Sequence, residues 1–174
     1  GGGTLCPTYN KYYEMYPGRF IKEHNITHLV CVPSYIDLML NADDLKFKNI
    51  KSLESIFFCG EPLMKYHVKS IFDVKKNIKL INAYGPTEAT CSCTFKNLTP
   101  KNFKDSFDAS MSIGKSIPGT KIVLKNNNKE NNNEGEIFIQ SKQVADGYMN
   151  KKNNYNKFFF KGNMPEFRTG DYAI

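Results

Sequence analysis

At 174 residues, with 40% hydrophobic and 13% aromatic side chains, the chain is long enough to bury a core and too apolar for wholesale disorder. Its 24 Lys and Arg against 17 Asp and Glu give a formal charge of +7, yet the only arginines are Arg19 and Arg168, and lysines such as Lys125, Lys129, Lys151, Lys152 and Lys157 are scattered among asparagines. That is the pattern of a solvated face and not of a nucleic-acid footprint, and no apolar run approaches the roughly 20 residues of a membrane span.

In chain order, residues 17–24 read as a short helix opened by Pro17, residues 26–32 as a β-branched strand, and residues 33–40 as a second helix opened by Pro33. Residues 55–59 are a candidate buried strand, 63–72 an amphipathic helix, and 78–83 another buried strand. Strands alternating with helices predict an α/β fold with a parallel, right-handed βαβ arrangement. The strand ends at Gly60 and Gly85 then share one edge of the sheet, where open α/β sheets bind ligands.

The character changes after Asn97. Short β-rich pieces at 113–117, 121–125, 136–140, 144–148 and 167–174 alternate with Gly, Pro and Asn, a pattern of antiparallel strands in a small sheet or distorted barrel. Between them residues 126–133 are nearly pure Asn, Lys and Glu and read as a mobile hairpin loop. Two subdomains are expected, an α/β part over 1–98 and a β-rich part over 99–174.

The five cysteines, Cys6, Cys31, Cys59, Cys91 and Cys93, are odd in number and include no Cys-x-x-Cys pair. That usage fits a reducing compartment without a disulfide frame, and three of them sit inside apolar runs as small core residues. His24 and His28 have a metal-like i, i+4 spacing, but Asn25 and a β-branched stretch interrupt any helix there, so both read as structural. Nothing at the N-terminus reads as a signal peptide, and a soluble cytoplasmic protein is expected.

The densest signal is Asn82-Ala-Tyr-Gly-Pro-Thr-Glu-Ala-Thr90. An apolar run enters an aromatic residue and a Gly-Pro break, after which come a hydroxyl and a carboxylate. In a nucleotide site Tyr84 lies flat on a base, Thr87 hydrogen-bonds a phosphate and Glu88 holds a magnesium ion whose shell the phosphates complete. Taken alone, the stretch reads better as an ordinary strand-to-loop turn with a solvated Thr-Glu pair, so other segments must decide.

Other segments side with the nucleotide. Asn82-Ala-Tyr-Gly-Pro-Thr-Glu88 resembles the core motif of the adenylate-forming superfamily almost letter for letter. Gly135-Glu-Ile-Phe-Ile-Gln with Val144-Ala-Asp-Gly-Tyr-Met149 resembles its G-E-L-x-I-x-G-x-x-V-A-x-G-Y motif. Arg168-Thr-Gly-Asp171 resembles its Y-R-T-G-D motif with Phe167 in the tyrosine's place, and Ile113-Gly-Lys-Ser-Ile-Pro118 its I-G-x-P-I segment. The motifs fall in the family's order and cover nearly the whole chain. Within the superfamily, Gly2-Gly-Thr-Leu5, Val32 to Leu40, Phe57-Phe-Cys-Gly-Glu61 and Tyr84 to Thr90 resemble the D-alanine:carrier-protein ligases.

The resemblance implies the large N-terminal domain of such enzymes and an AMP-forming ligase activity. A carboxylate joins the α-phosphate of ATP, pyrophosphate leaves, and the acyl group passes to a thiol, here the phosphopantetheine of a carrier protein. By motif position Tyr84 stacks on adenine, Gly60 and Glu61 line the base pocket, and Asn82, Ala83 and Gly85 belong to the same nucleotide wall. Thr87 contacts the α-phosphate, Glu88 ligates Mg²⁺, and Asp171 accepts both ribose hydroxyls. Thr87 and Glu88 are thus the catalytic pair.

Substrate-pocket walls by the same alignment are Val30, Phe57, Cys59, Ala83, Cys91 and Ser92. All but Phe57 are small, which suits a small amino acid such as D-alanine; Cys59 packs beside the substrate α-carbon or is a plain strand-end core residue. The family's phosphate loop would precede Gly1 and its lysine-bearing C-terminal domain would follow Ile174. The 174 residues are therefore expected to be a fragment unable to complete the reaction alone. Two other readings are a peptide-synthetase or acyl-CoA-synthetase domain for a different carboxylate, and a non-catalytic module that kept the nucleotide site.

Overall fold

The structure, a computed structural model, describes residues 2–8, 10–105, 109–126, 129–131, 133–150 and 156–174. The chain packs as two compact units that interleave: one takes Gly1–Asn82 and Lys96–Ile113, the other Ala83–Phe95 and Gly114–Ile174. Where a single division after residue 98 was expected, the path crosses from unit to unit three times, and the 83–95 stretch packs with the β-rich residues.

The first unit contains α1 (Lys11–Met15), α2 (Pro17–Glu23), β1 (His28–Cys31), α3 (Ser34–Asn41), α4 (Phe47–Ile50), β2 (Ser55–Phe58), α5 (Lys65–Val74) and most of β3 (Lys79–Tyr84). β1, β2 and β3 are parallel, with Leu29 beside Ile56 beside Leu80 and Val30 beside Phe57 beside Ile81. The side chains alternate. Ile56, Phe58 and Leu80 are fully buried in a core with Ile21, Ile36, Ile50, Leu53, Val68 and Ile71, whereas on the opposite face Val30 is 74% exposed and Phe57 only half-buried. The expected βαβ order is present, but the strands are buried on one face and not on both.

Local chemistry explains the helix ends. α2 opens with Pro17 at its first position, and the buried carboxylate of Asp44 accepts the next two amide protons, from Gly18 at 2.6 Å and Arg19 at 3.1 Å. The same carboxylate accepts Asn49 Nδ2 at 2.7 Å. Gly18 is required there, because a Cβ would meet Asp44 Oδ2 at 2.8 Å and its backbone carbonyl closer still. α5 starts where Met64 N–H donates to His67 Nδ1 at 3.1 Å; an accepting Nδ1 leaves the ring proton on Nε2, which faces Asp37 at 3.1 Å. His24, which closes α2, contacts the Phe20 carbonyl through Nδ1, and His28 on β1 hydrogen-bonds Ser55.

The second unit holds the end of β3, the start of β4 (Thr94–Leu98), β5 (Lys115–Ser116), β6 (Thr120–Asn126), β7 (Lys129–Glu130), β8 (Gly135–Ser141), β9 (Phe158–Lys161) and β10 (Met164–Ala173). β4 and β5 pair antiparallel through Thr94 with Ser116 and Phe95 with Lys115. The remaining strands form an antiparallel sheet in the order β7-β6-β8-β10-β9, open at both ends. The expected β-rich half is thus a sheet, with β9 an addition that the sequence pattern had not marked.

Two expectations change here. Residues 144–148 are not a strand: Gln143 O accepts from Thr90 Oγ1 and Ala145 N–H donates to Glu88 O, so these backbone groups serve a turn instead of a ladder. Lys125 is not a solvated lysine, since its Nζ lies 2.5 Å from the buried Glu166 carboxylate and 4.1 Å from the centroid of Phe138. Of the expected 126–133 loop, Lys129 and Glu130 pair with Asn126 and Lys125 as a hairpin, and residues 127, 128 and 132 lie outside the described residues. No helix among the described residues is long and apolar enough to cross a membrane.

Candidate functional site

β3 ends at Tyr84, and the chain turns through Gly85 and an extended Pro86 into a 3₁₀ turn, Thr87–Ala89. The turn is tight. Tyr84 O accepts from Cys93 N–H at 2.7 Å, and a Cβ on Gly85 would strike the Cys91 carbonyl and lie 2.8 Å from Cys93 N, so only glycine fits. Thr90 and Cys91 follow with φ of 57° and 72°, two consecutive non-glycine residues in the left-handed region. Strain of this kind persists where the surroundings over-determine it, and here Ala89 is fully buried and Thr90 Oγ1 is bonded to Gln143 O at 2.8 Å.

Tyr84 and Asp171, 87 residues apart, meet through a 2.6 Å hydrogen bond from the phenol to Oδ2. Burial and this bond both push the Tyr84 phenol above its ordinary range, so it stays a donor. Asp171 itself is exposed and is displayed by an irregularity in β10: the register with β8 shifts between Arg168 and Tyr172, and Gly170 takes φ +89°. Thr169 Oγ1 fills the gap, donating to Ile137 O at 2.8 Å and accepting Asp171 N–H at 3.0 Å. Beneath it Arg168 Nε approaches both oxygens of the buried Glu136 at 2.8 Å, with its Nη2 2.7 Å from Oε2.

Glu88 is half-buried on the 3₁₀ turn, and its Oε1 accepts from Tyr148 at 2.5 Å. That contact raises the Tyr148 phenol from its ordinary range. Among the described residues no group of three or more His, Cys, Asp or Glu gathers to cage a metal. A cation held at Glu88 would have this one protein carboxylate and would need its other ligands from phosphate and water, a donor set that Mg²⁺ accepts. Thr87, the other half of the expected catalytic pair, is exposed at the start of the same turn.

The remaining candidates divide by unit. In the second, Ala83 is buried, Ser92 half-buried and Cys91 exposed around the Gly85 turn. In the first, Val30 and Phe57 are register partners on the open sheet face, and Cys59 follows just past the end of β2 with its N–H on Cys31 O at 3.3 Å. Burial pushes the neighbouring Cys31 thiol up to about 12, with Glu61 adding to the effect, which leaves it unreactive. Gly60, at φ +95°, turns the chain so that the Glu61 carboxylate accepts Ser34 N–H at 2.9 Å and Ser34 Oγ–H at 3.0 Å. Glu61 thus caps α3. Asn82, buried at 4% exposure, spends its amide protons on the carbonyls of Ser112 at 3.0 Å and Met111 at 3.4 Å.

Sequence reasoning gave no role to Tyr148, Glu136, Arg168 or Thr90. All four stood inside or beside quoted motifs, so the signal was their membership, and what was missing was which residue each one touches.

The profile of the family described as AMP-binding enzyme matches residues 1–149. A D-alanine--D-alanyl carrier protein ligase of Staphylococcus haemolyticus is 32% identical over 146 residues, covering 83% of this chain and 28% of that protein. One from Listeria monocytogenes serotype 4b is 31% identical over 186 residues, covering 99% of this chain and 35% of that protein. Among solved structures, the Vibrio cholerae adenylation domain AlmE in complex with glycyl-adenosine-5'-phosphate superposes with a TM-score of 0.81 at 25% identity, over 94% of this chain and 32% of that one. PA1221, a protein containing adenylation and PCP domains, gives 0.74 at 25% identity over 90% and 32%. The chain thus spans about a third of the length of the proteins it matches.

Proposed function

The chain belongs to the AMP-binding enzyme family, and from that premise we propose that it carries nucleotide and substrate residues of an ATP-dependent ligase. The ligase activates D-alanine as its adenylate and passes it to the phosphopantetheine thiol of a carrier protein. What supports this most is the 2.6 Å bond between Tyr84 and Asp171, which brings an aromatic face for a base beside a carboxylate for ribose hydroxyls. Two acceptor oxygens on one group match two vicinal donors. Thr87 donates to the α-phosphate and Glu88 is the magnesium carboxylate. Bound there, Mg²⁺ would neutralise phosphate charge during displacement at phosphorus.

The choice of acid rests on the carrier-protein ligases at 31–32% identity and on the glycyl adenylate held by AlmE, both small amino acids. The small side chains of Val30, Cys59, Ala83, Cys91 and Ser92 agree with that size, with Phe57 supplying bulk. PA1221, with its adenylation and PCP domains, favours a carrier protein as acceptor and keeps a peptide-synthetase reading as the alternative.

ATP-pyrophosphate exchange by the full-length protein with D-alanine, L-alanine, glycine and larger acids tests this. D-Alanine should support exchange best, and Asp171→Ala and Glu88→Gln should abolish it. The 174-residue chain alone should give none, because relatives carry about twice as much sequence again. Exchange with a different acid would move the protein to a peptide-synthetase or acyl-CoA role; absence of Mg·ATP binding would make it a non-catalytic module.

A further inference from the structure

We propose that Tyr148 is the positioning residue for Glu88, the last link of an aromatic strap that ties the magnesium carboxylate to the strand bearing Asp171. The inference rests on the reading of Glu88 as the metal carboxylate. The Gln143–Tyr148 loop is fastened to the 3₁₀ turn at three points: Thr90 Oγ1 donates to Gln143 O at 2.8 Å, Ala145 N–H donates to Glu88 O at 2.7 Å, and Tyr148 O–H donates to Glu88 Oε1 at 2.5 Å. The first two hold backbone. Only the third touches the carboxylate.

The tyrosine ring is itself held. It stands edge-on to Phe158 with centroids 5.2 Å apart and planes at 83°, and Phe158 packs on Phe167 at 5.0 Å. Phe167 is 2% exposed and precedes Arg168 in β10, four residues before Asp171. The phenol oxygen is therefore fixed by packing from β9 and β10, and its position fixes one Glu88 oxygen. A carboxylate on a short turn otherwise samples several rotamers, and a cation bound mainly through substrate phosphates needs its single protein oxygen pre-set.

Two variants of the full-length protein separate the parts of this argument. Tyr148→Phe keeps the ring and its packing and removes only the hydroxyl. Thr90→Val is isosteric and loosens the loop without touching the carboxylate. The readout is Mn²⁺ binding, followed by water proton relaxation in the presence of a non-reactive ATP analogue, together with the Mg²⁺ concentration that half-saturates exchange. Tyr148→Phe should weaken Mn²⁺ about 10-fold and raise the half-saturating Mg²⁺ in proportion, leaving KM for the amino acid unmoved. Thr90→Val should shift Mn²⁺ affinity by less than about 2-fold. Equal losses in both variants would reduce Tyr148 to a loop anchor and overturn the proposal. So would Mn²⁺ affinity within about 2-fold of wild type in Tyr148→Phe while Glu88→Gln abolishes it. If Glu88→Gln leaves Mn²⁺ binding intact, it is the metal reading of Glu88 that fails, and the proposal falls with it.

Discussion

The Glu136–Arg168 pair offers a direct measure of how the Asp171 loop is held. Glu136 lies on β8 with a side chain 7% exposed, and Arg168 spans both its oxygens from β10 with 38% exposure. Arg168→Met removes the cation and strands a carboxylate inside the sheet. Breaking a fully buried pair costs about 3–5 kcal/mol, and water access at the guanidinium end brings the expectation here to about 2 kcal/mol. Glu136→Gln keeps an acceptor for one donor and should cost about 1 kcal/mol. The double variant should lose less than the sum, by about 1 kcal/mol, because each change removes the other's stranded partner. Hydrogen exchange of the peptides covering residues 135–141 and 164–173 in the full-length protein reads this locally. A loss of about 2 kcal/mol corresponds to roughly 30-fold faster exchange there, with little change at α5.

The same pair has a pH signature. Arg168 holds the Glu136 carboxyl below the usual carboxylate range, against the opposing effect of its burial. A depressed folded-state value contributes stability that is present above the unfolded value of about 4.3 and lost as pH falls through the folded one. The gap between wild type and Glu136→Gln should therefore be constant from pH 8 to about 5 and close below about pH 4. Exchange rates in Arg168→Met within about twofold of wild type, or a gap that does not close in acid, would refute the reasoning.

Gly18→Ala and Asp44→Ala should each destabilise α2 by about 3 kcal/mol in urea unfolding, the first by collision with Asp44, the second by orphaning two helix amides beside Asn49. Lys75→Met should cost about 1–2 kcal/mol, seen as a lower Tm, because Nζ reaches the carbonyls of Lys51 at 2.7 Å and Leu53 at 2.5 Å past the end of α4. The Tyr84 phenol, raised first by burial and then by Asp171, contributes stability that is fully present below about pH 10 and lost as pH rises through its higher folded value. The difference between wild type and Tyr84→Phe should thus be flat from pH 6 to 9, and the 295 nm absorbance of this tyrosine should appear later than that of exposed ones.

Most of the first unit was legible because its signals are local. Proline at a helix start, β-branched runs and an amphipathic 63–72 stretch each act within a few residues, and α2, β1, α3, β2, α5 and β3 appear where those signals lie. What escaped depends on partners far along the chain. Residues 144–148 have strand composition, yet the Ala145 amide and the carbonyl of the preceding Gln143 go to Glu88 and Thr90, more than fifty residues away. Lys125 sits in an Asn/Lys-rich stretch that reads as solvated, and only the register of β6 against β8 shows that it faces Phe138 and Glu166. The 55–59 strand reads as buried, yet alternation buries only one of its faces and leaves Phe57 beside Val30, both named as pocket walls by motif position, on the open one.

Within the second unit the motif letters sort into two kinds once their contacts are known. Tyr84, Thr87, Glu88 and Asp171 are the four proposed to meet the nucleotide and its cation. Gly85, Thr169, Gly170, Glu136, Arg168 and Tyr148 act on those four: glycine admits the turn, Thr169 and Gly170 bend β10 outward, the ion pair fixes the bend, and the phenol fixes Glu88. Gly135 belongs with them, since a Cβ there would lie 2.7 Å from the Lys125 carbonyl and force β8 away from β6. Motifs 32 to 87 residues apart are therefore mechanically dependent on one another. Each supplies a side chain whose orientation depends on another, so a chain that kept only the ligand-facing letters would present the same groups at the wrong angles.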